Sequence, residues 1–110
     1  MGTQQASNAP PSGLSAEART WWKRLHREFT LDDAGAHFLL ETALRAFDRM
    51  REAGALVAKH GVAVEDRFGQ LRANPATAAE RDARAAMLSA FKQLGLDVLP
   101  PGKPGRPPGR

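Results

Sequence analysis

The fold turns on residues 31–59, LDDAGAHFLLETALRAFDRMREAGALVAK. Ala36, Leu40, Ala43, Phe47, Met50, Gly54 and Val57 recur there at 4-3-4-3-4-3 spacing, the heptad seam of a helix with one apolar face. Leu39 and Leu44 flank the seam and widen it. Thr30 with Asp33 matches a capping box at the start of this stretch, and Gly61 suits the left-handed residue that ends a helix. A helix from Leu31 to Lys59 would be ~43 Å long at 1.5 Å per residue. That is more than one small domain needs, so part of its surface is expected to pack on other copies. Leu40, Ala43, Phe47, Met50 and Val57 are the candidate oligomerisation residues.

The flanking segments follow the same logic. Upstream, Ser15 can cap a helix from Ala16 to Phe29, with Glu17 in the first turn, where the helix dipole favours an anion. Ala18, Trp22, Leu25 and Phe29 form its apolar stripe, and Trp21 lies beside that stripe. Downstream, Val62 to Ala73 changes period. Val62 and Val64 alternate with Ala63 and Glu65, and Asp66-Arg67-Phe68-Gly69 supplies turn chemistry, so a short β-hairpin or strand-like loop is expected. Asn74-Pro75 then opens a third helix, because Asn caps well and Pro suits the first helical position. Ala76, Ala79, Ala83, Ala86, Met87, Ala90, Phe91 and Leu94 line one side, and Gly95 fits the position just past its end. So many Ala residues imply close helix–helix approach. The expected class is mainly α: a long helical hairpin formed by helices two and three, an N-terminal helix packed on it, and a short β element between helices two and three.

Composition agrees. Of 110 residues, 20 are Ala, and there is no Ile, no Tyr and only four Val, so strand formers are scarce. The 26 large apolar side chains make a marginal core for a solitary chain. Residues 1–13 read as a disordered lead-in, 14–99 as the folded domain, and 100–110 as a basic tail with five Pro and three Gly. There is no cysteine, which removes disulfides, thiolate metal sites and a Cys nucleophile. No stretch approaches the ~20 apolar residues of a membrane span. A cytoplasmic protein without membrane contact is expected.

Catalytic constellations are weak. Asp33 and His37 lie one turn apart, as a metal pair would, but no further ligands converge in the sequence, so no cofactor and no metal are expected. His60 precedes a helix-ending glycine, where a cationic ring is favoured by the dipole. No Gly-x-Ser-x-Gly elbow occurs, and Pro104 after Gly102-Lys103 breaks any P-loop reading. Asp32-Asp33 and Glu65-Asp66 fall where caps and turns use acids. Neither an enzyme nor a small-molecule substrate is expected.

The cations are more informative. The formal net charge is +4, and Arg outnumbers Lys twelve to four. Arg19, Lys23, Arg24 and Arg27 are the basic residues of helix one and can neutralise phosphates. In the tail, Lys103, Arg106 and Arg110 stand without an acidic neighbour, and Gly105-Arg106-Pro107 is a Gly-Arg-Pro core like that of minor-groove hooks. Such hooks usually have a basic residue just before the core, where this chain has Pro104. A few contacts per chain bind weakly; repetition around an oligomer adds avidity.

Leu14-Ser15-Ala16-Glu17-Ala18 followed by Trp22, then Glu28-Phe29 and Leu31-Asp32-Asp33, resembles the opening of the phage terminase small subunits of the cohesive-end packaging type. Asp66-Arg67-Phe68-Gly69-Gln70, Asn74-Pro75-Ala76, Glu80-Arg81-Asp82-Ala83-Arg84-Ala85-Ala86 and Leu94-Gly95-Leu96-Asp97 extend the resemblance in the same order. It implies a non-catalytic DNA-packaging subunit in the cytoplasm of a bacterial host. Such a subunit forms rings, engages double-stranded viral DNA and regulates the large terminase subunit, which carries the ATPase and nuclease. Arg67 and Arg81 fall in matching blocks, where they either face DNA or pair with Asp66, Glu80 or Asp82. Many members have a basic Gly/Pro-rich segment before helix one, whereas here such a segment ends the chain. Two other readings remain. A helical oligomeric adaptor of phage assembly would bind only protein. A small helix-turn-helix regulator is opposed by Asp32, Asp33 and Glu41 early in helix two, where a recognition helix meets bases.

Overall fold

The computed structural model describes residues 8–96. Three helices and one β-hairpin follow in the order α1 (Ala16–Glu28), α2 (Ala34–His60), β1 (Ala63–Glu65), β2 (Leu71–Ala73) and α3 (Pro75–Gln93).

Each boundary has a local cause. The Ser15 hydroxyl accepts from the Ala18 N–H at 3.0 Å and caps α1. Phe29 is extended and closes the helix, its N–H donating to the Leu25 carbonyl at 2.9 Å. The second helix starts three residues later than expected, because Asp33 rather than Thr30 is its N-cap. The Asp33 carboxylate accepts from the Ala36 N–H at 2.7 Å, and residues 30–33 are thereby left outside the helix. Gly61, at φ +86°, stops α2. The end of α3 is a Schellman turn: Gly95 sits at φ +83°, its N–H donates to the Lys92 carbonyl and the Leu96 N–H to the Phe91 carbonyl.

The strands pair antiparallel with Ala63 opposite Ala73 and Glu65 opposite Leu71. Between them Arg67-Phe68-Gly69 makes a three-residue loop, and Gly69 supplies the positive φ of a bulge-type turn. Asn74 ties the end of α2 to the start of α3. It caps α3 by accepting from the Ala76 N–H, its side-chain amide donates to the Gly61 carbonyl at 2.8 Å, and its N–H donates to the Val62 carbonyl at 2.8 Å.

α2 and α3 form an antiparallel hairpin. Glu80 on α3 lies beside Gly54 on α2, while Met87 and Phe91 reach Leu44 and Phe47. α1 crosses the first half of α2, also antiparallel. Its start is held by the Asp48 carboxylate, which accepts from the Ser15 N–H at 2.8 Å and from the Ser15 hydroxyl. Its end meets His37 through His26. The core lies where the three helices meet, centred on Trp22, Leu40 and Leu44, with Leu14, Leu25, Leu31, Phe47 and Met50 around them. Leu40, Ala43, Phe47 and Met50 are thus buried inside the single chain, and Val57 is half-buried. The seam proposed for oligomerisation packs within the subunit, because α1 and α3 cover it. The apolar side chains left to solvent are others, among them Phe38, Leu56, Phe68, Leu71 and Leu88.

Candidate nucleic-acid interface

The N-terminal helix presents a cationic ridge because its apolar stripe is anchored inward. Trp22, at 2% exposure, is locked on both sides. Its indole N–H donates to the Asn8 carbonyl at 2.9 Å, and its ring packs at a tilt against His26 and His37 with centroids 4.9 and 5.6 Å away. Glu17 is drawn to Arg51 of α2 at 3.0 Å. With these residues turned toward α2, Arg19, Lys23 and Arg27, spaced four apart, are exposed.

The four candidates on this helix differ in how engaged they are. Arg19 donates to the Leu14 carbonyl at 2.5 Å, which fixes its guanidinium near the helix start. Arg24 pairs with Glu28 at 3.2 Å and lies over the Trp21 ring at 5.0 Å. Both partners of that pair are about half exposed, so it is a weak restraint on the guanidinium. Lys23 and Arg27 have no ion-pair partner among the described residues. They are the two cations best placed to take an external phosphate.

Arg67 and Arg81 stand elsewhere. α1 covers the first half of α2 and the last turns of α3, whereas the hairpin and the start of α3 lie at the opposite end. Arg67 sits over the Phe68 ring at 5.2 Å on the exposed hairpin turn. It does not pair with Asp66, whose carboxylate already takes the Arg72 guanidinium at 2.9 Å and the N–H groups of Phe68 and Gln70. Those bonds, led by the Gln70 N–H and opposed by partial desolvation, hold the Asp66 carboxyl below its ordinary value. Arg81 pairs with Asp82 at 3.3 Å, with both side chains open to water. The structure therefore does not join Arg67 and Arg81 to the ridge on α1. Lys103, Arg106 and Arg110 lie outside the described residues.

Two features went unseen in the sequence. His37 does not pair with Asp33, whose carboxylate caps α2. Its Nε2 lies 3.0 Å from the Nε2 of His26, and His26 Nδ1 lies 2.9 Å from the Trp22 carbonyl. A carbonyl oxygen can only accept, so His26 carries a proton on Nδ1, and in the neutral ring its Nε2 takes a hydrogen bond from the His37 Nε2–H, which stitches α1 to α2. Among the described residues no group of three or more His, Cys, Asp or Glu could hold a metal ion. The second feature is an apolar groove of about 560 Å³ at the junction of the three helices, walled by Trp21, Phe29, Leu88 and Phe91 and edged by Lys92. Nothing in periodicity marks it, since it forms only where three stripes meet.

The profile of the family described as "Phage terminase, small subunit" matches residues 18–98. Neither the curated proteins nor the solved structures gave a match. The match begins in the first turn of α1 and takes in the rest of that helix, α2, the hairpin and α3, and the chain belongs to the phage terminase small-subunit family.

Proposed function

We propose that this small terminase subunit serves phage DNA packaging as a non-catalytic, DNA-engaging homo-oligomer that recruits or regulates the large terminase subunit in the cytoplasm of the bacterial host. The observation that carries the reading is the family match across residues 18–98. The ridge on α1 gives it a physical form. Lys23 and Arg27 are exposed on a helix that the Trp22 anchor and the Ser15–Asp48 clamp fix to α2, so phosphate contact there costs little ordering of the backbone. Arg19 and Arg24 flank them, and Lys103, Arg106 and Arg110 add a second cationic segment.

Two or four phosphate contacts per chain are weak at physiological salt. Closure of several copies into a ring of the cohesive-end packaging type multiplies them. The ATPase and nuclease chemistry belongs, on this reading, to the large subunit. A salt series of duplex-DNA binding by fluorescence anisotropy, combined with light scattering on the same samples, tests the proposal. Affinity that falls steeply with salt, on an assembly larger than a monomer, supports it. A monomer indifferent to DNA at low salt overturns it. An assembly indifferent to DNA favours the protein-only adaptor.

A further inference from the structure

The apolar side chains left in water gather at two places. Among the described residues eight large ones are exposed, and only Phe38 and Leu56 stand apart from the two groups. Trp21, Phe29 and Leu88 stand in the groove where α1 meets the last turns of α3. Val62, Phe68 and Leu71, each at least 65% exposed, stand on the β-hairpin and at its base, at the opposite end of the α2–α3 pair. One group is a concave wall and the other is carried on a turn. Apolar surface at both ends is costly for a domain with so small a core.

Charge pairs the two ends. Two charged residues line the groove. Arg51 is taken by Glu17, whereas Lys92, one turn beyond Leu88, has no ion-pair partner among the described residues. On the hairpin Asp66 is taken by Arg72, whereas Glu65 has no such partner. Glu65 lies directly opposite Leu71 in the ladder, so the two side chains leave the same face. The hairpin thus offers an apolar side chain beside an open carboxylate, and the groove offers apolar walls beside an open ammonium.

We propose that the hairpin of one copy seats in the groove of the next, with Phe68 and Leu71 against Trp21, Phe29 and Leu88, and with Glu65 facing Lys92. The two patches are different surfaces at opposite ends of the chain, so the contact is heterologous. Each copy offers its hairpin to one neighbour and its groove to another, and repetition closes a ring where the rotation allows. Arg67 lies over the Phe68 ring, but that pairing is exposed and weak, so the guanidinium swings into water as the ring enters. The inference rests on the homo-oligomer proposed above and names the contact that builds it. Lys23 and Arg27 are not among the groove's lining residues, so assembly and phosphate contact use different side chains.

The chain has no cysteine, which makes disulfide trapping specific. In the full chain, Phe68→Cys with Leu88→Cys is expected to link into interchain multimers under mild oxidation, while each single variant stays unlinked. Glu65→Lys and Lys92→Glu, both at exposed positions, are each expected to shift light scattering toward monomer at low salt, and their combination to restore the wild-type size. A disulfide that forms as readily in either single variant marks a two-fold contact and overturns the docking. An assembled wild type whose double cysteine variant does not link, or whose charge variants show no loss and rescue, has another occupant in the groove. That result overturns the docking and leaves the homo-oligomer standing. A wild-type chain that is monomeric at every concentration overturns both.

Discussion

Asn74 shows what one side chain does when all its polar atoms are used. It is 7% exposed and every donor and acceptor it needs lies on the backbone of the two helices it joins. Asn74→Ala removes the cap of α3 and strands the Gly61 carbonyl, so unfolding free energy should fall by about 1–3 kcal/mol in denaturant titration. Asp33→Ala should cost ~0.5–2 kcal/mol while Thr30→Ala changes little, since the cap of α2 is Asp33. Asp66 gives a pH prediction. Its carboxyl titrates below the ordinary value in the fold, so it contributes stability above about pH 4 that is lost as pH falls through its lowered value. Protection of the Phe68 and Gln70 amides, taken relative to intrinsic exchange at each pH, should therefore fall below that pH, and Asp66→Asn, which keeps an acceptor oxygen, should remove the dependence. The caps at Ser15 and Asn74 were legible because each needs only local sequence. The capping-box reading places Asp33 at the third helical position, whereas it is the N-cap, since Thr30 and Asp33 both suit a cap and only the turn that frees residues 30–33 decides between them.

At the scale of elements, α1 is held by apolar contact and by polar clamps together. Trp22 supplies the first, and Arg45, Asp48 and Arg51 of α2 supply the second, reaching Ser12, Ser15 and Glu17. The exposed ion pairs add little, and Trp22→Ala should cost ~3–5 kcal/mol by loss of the largest buried side chain. The ridge makes a different prediction. Lys23→Ala with Arg27→Ala should leave the fold intact and reduce the slope of log K against log salt by about one unit per removed phosphate contact. Arg81→Ala, at the other end of the hairpin, should leave that slope unchanged. The helices and the β-hairpin were readable from periodicity, capping and turn residues. The choice between Trp21 and Trp22 followed from 4-3-4 spacing. The His26–His37 contact was not readable, because eleven residues and a helix break separate the two rings and only the crossing of α1 over α2 brings them to 3.0 Å.

For the whole molecule, the question is which apolar surface remains for other copies. The heptad of α2 marks a buried face, but its spacing cannot tell a partner helix in the same chain from one in a neighbour. The structure answers for this chain: α1 and α3 cover Leu40, Ala43, Phe47 and Met50. Leu56 stands differently. It is half-exposed on the other side of the hairpin, above a shallow Ala-rich trough of about 610 Å³ formed with Ala79, Ala83 and Ala86. Phe38 projects from the outer side of α2 at 70% exposure. Two variants separate the roles. Leu40→Ala removes core volume and should lower stability by ~2–5 kcal/mol, with assembly size at low temperature unchanged. Leu56→Arg keeps an aliphatic stem over the trough and leaves its charged end in water, so Tm should move little, as for surface substitutions of about ±0.5 kcal/mol. If copies join through this side, however, a buried guanidinium without a partner should shift light scattering toward monomer and weaken DNA binding through loss of avidity rather than of phosphate contacts. Assembly that survives Leu56→Arg and also Phe38→Ser would remove both sides of α2 from the proposed ring contact and leave the hairpin, with Phe68 and Leu71 exposed, and the groove that exposes Trp21, Phe29 and Leu88 as the surfaces that can join subunits.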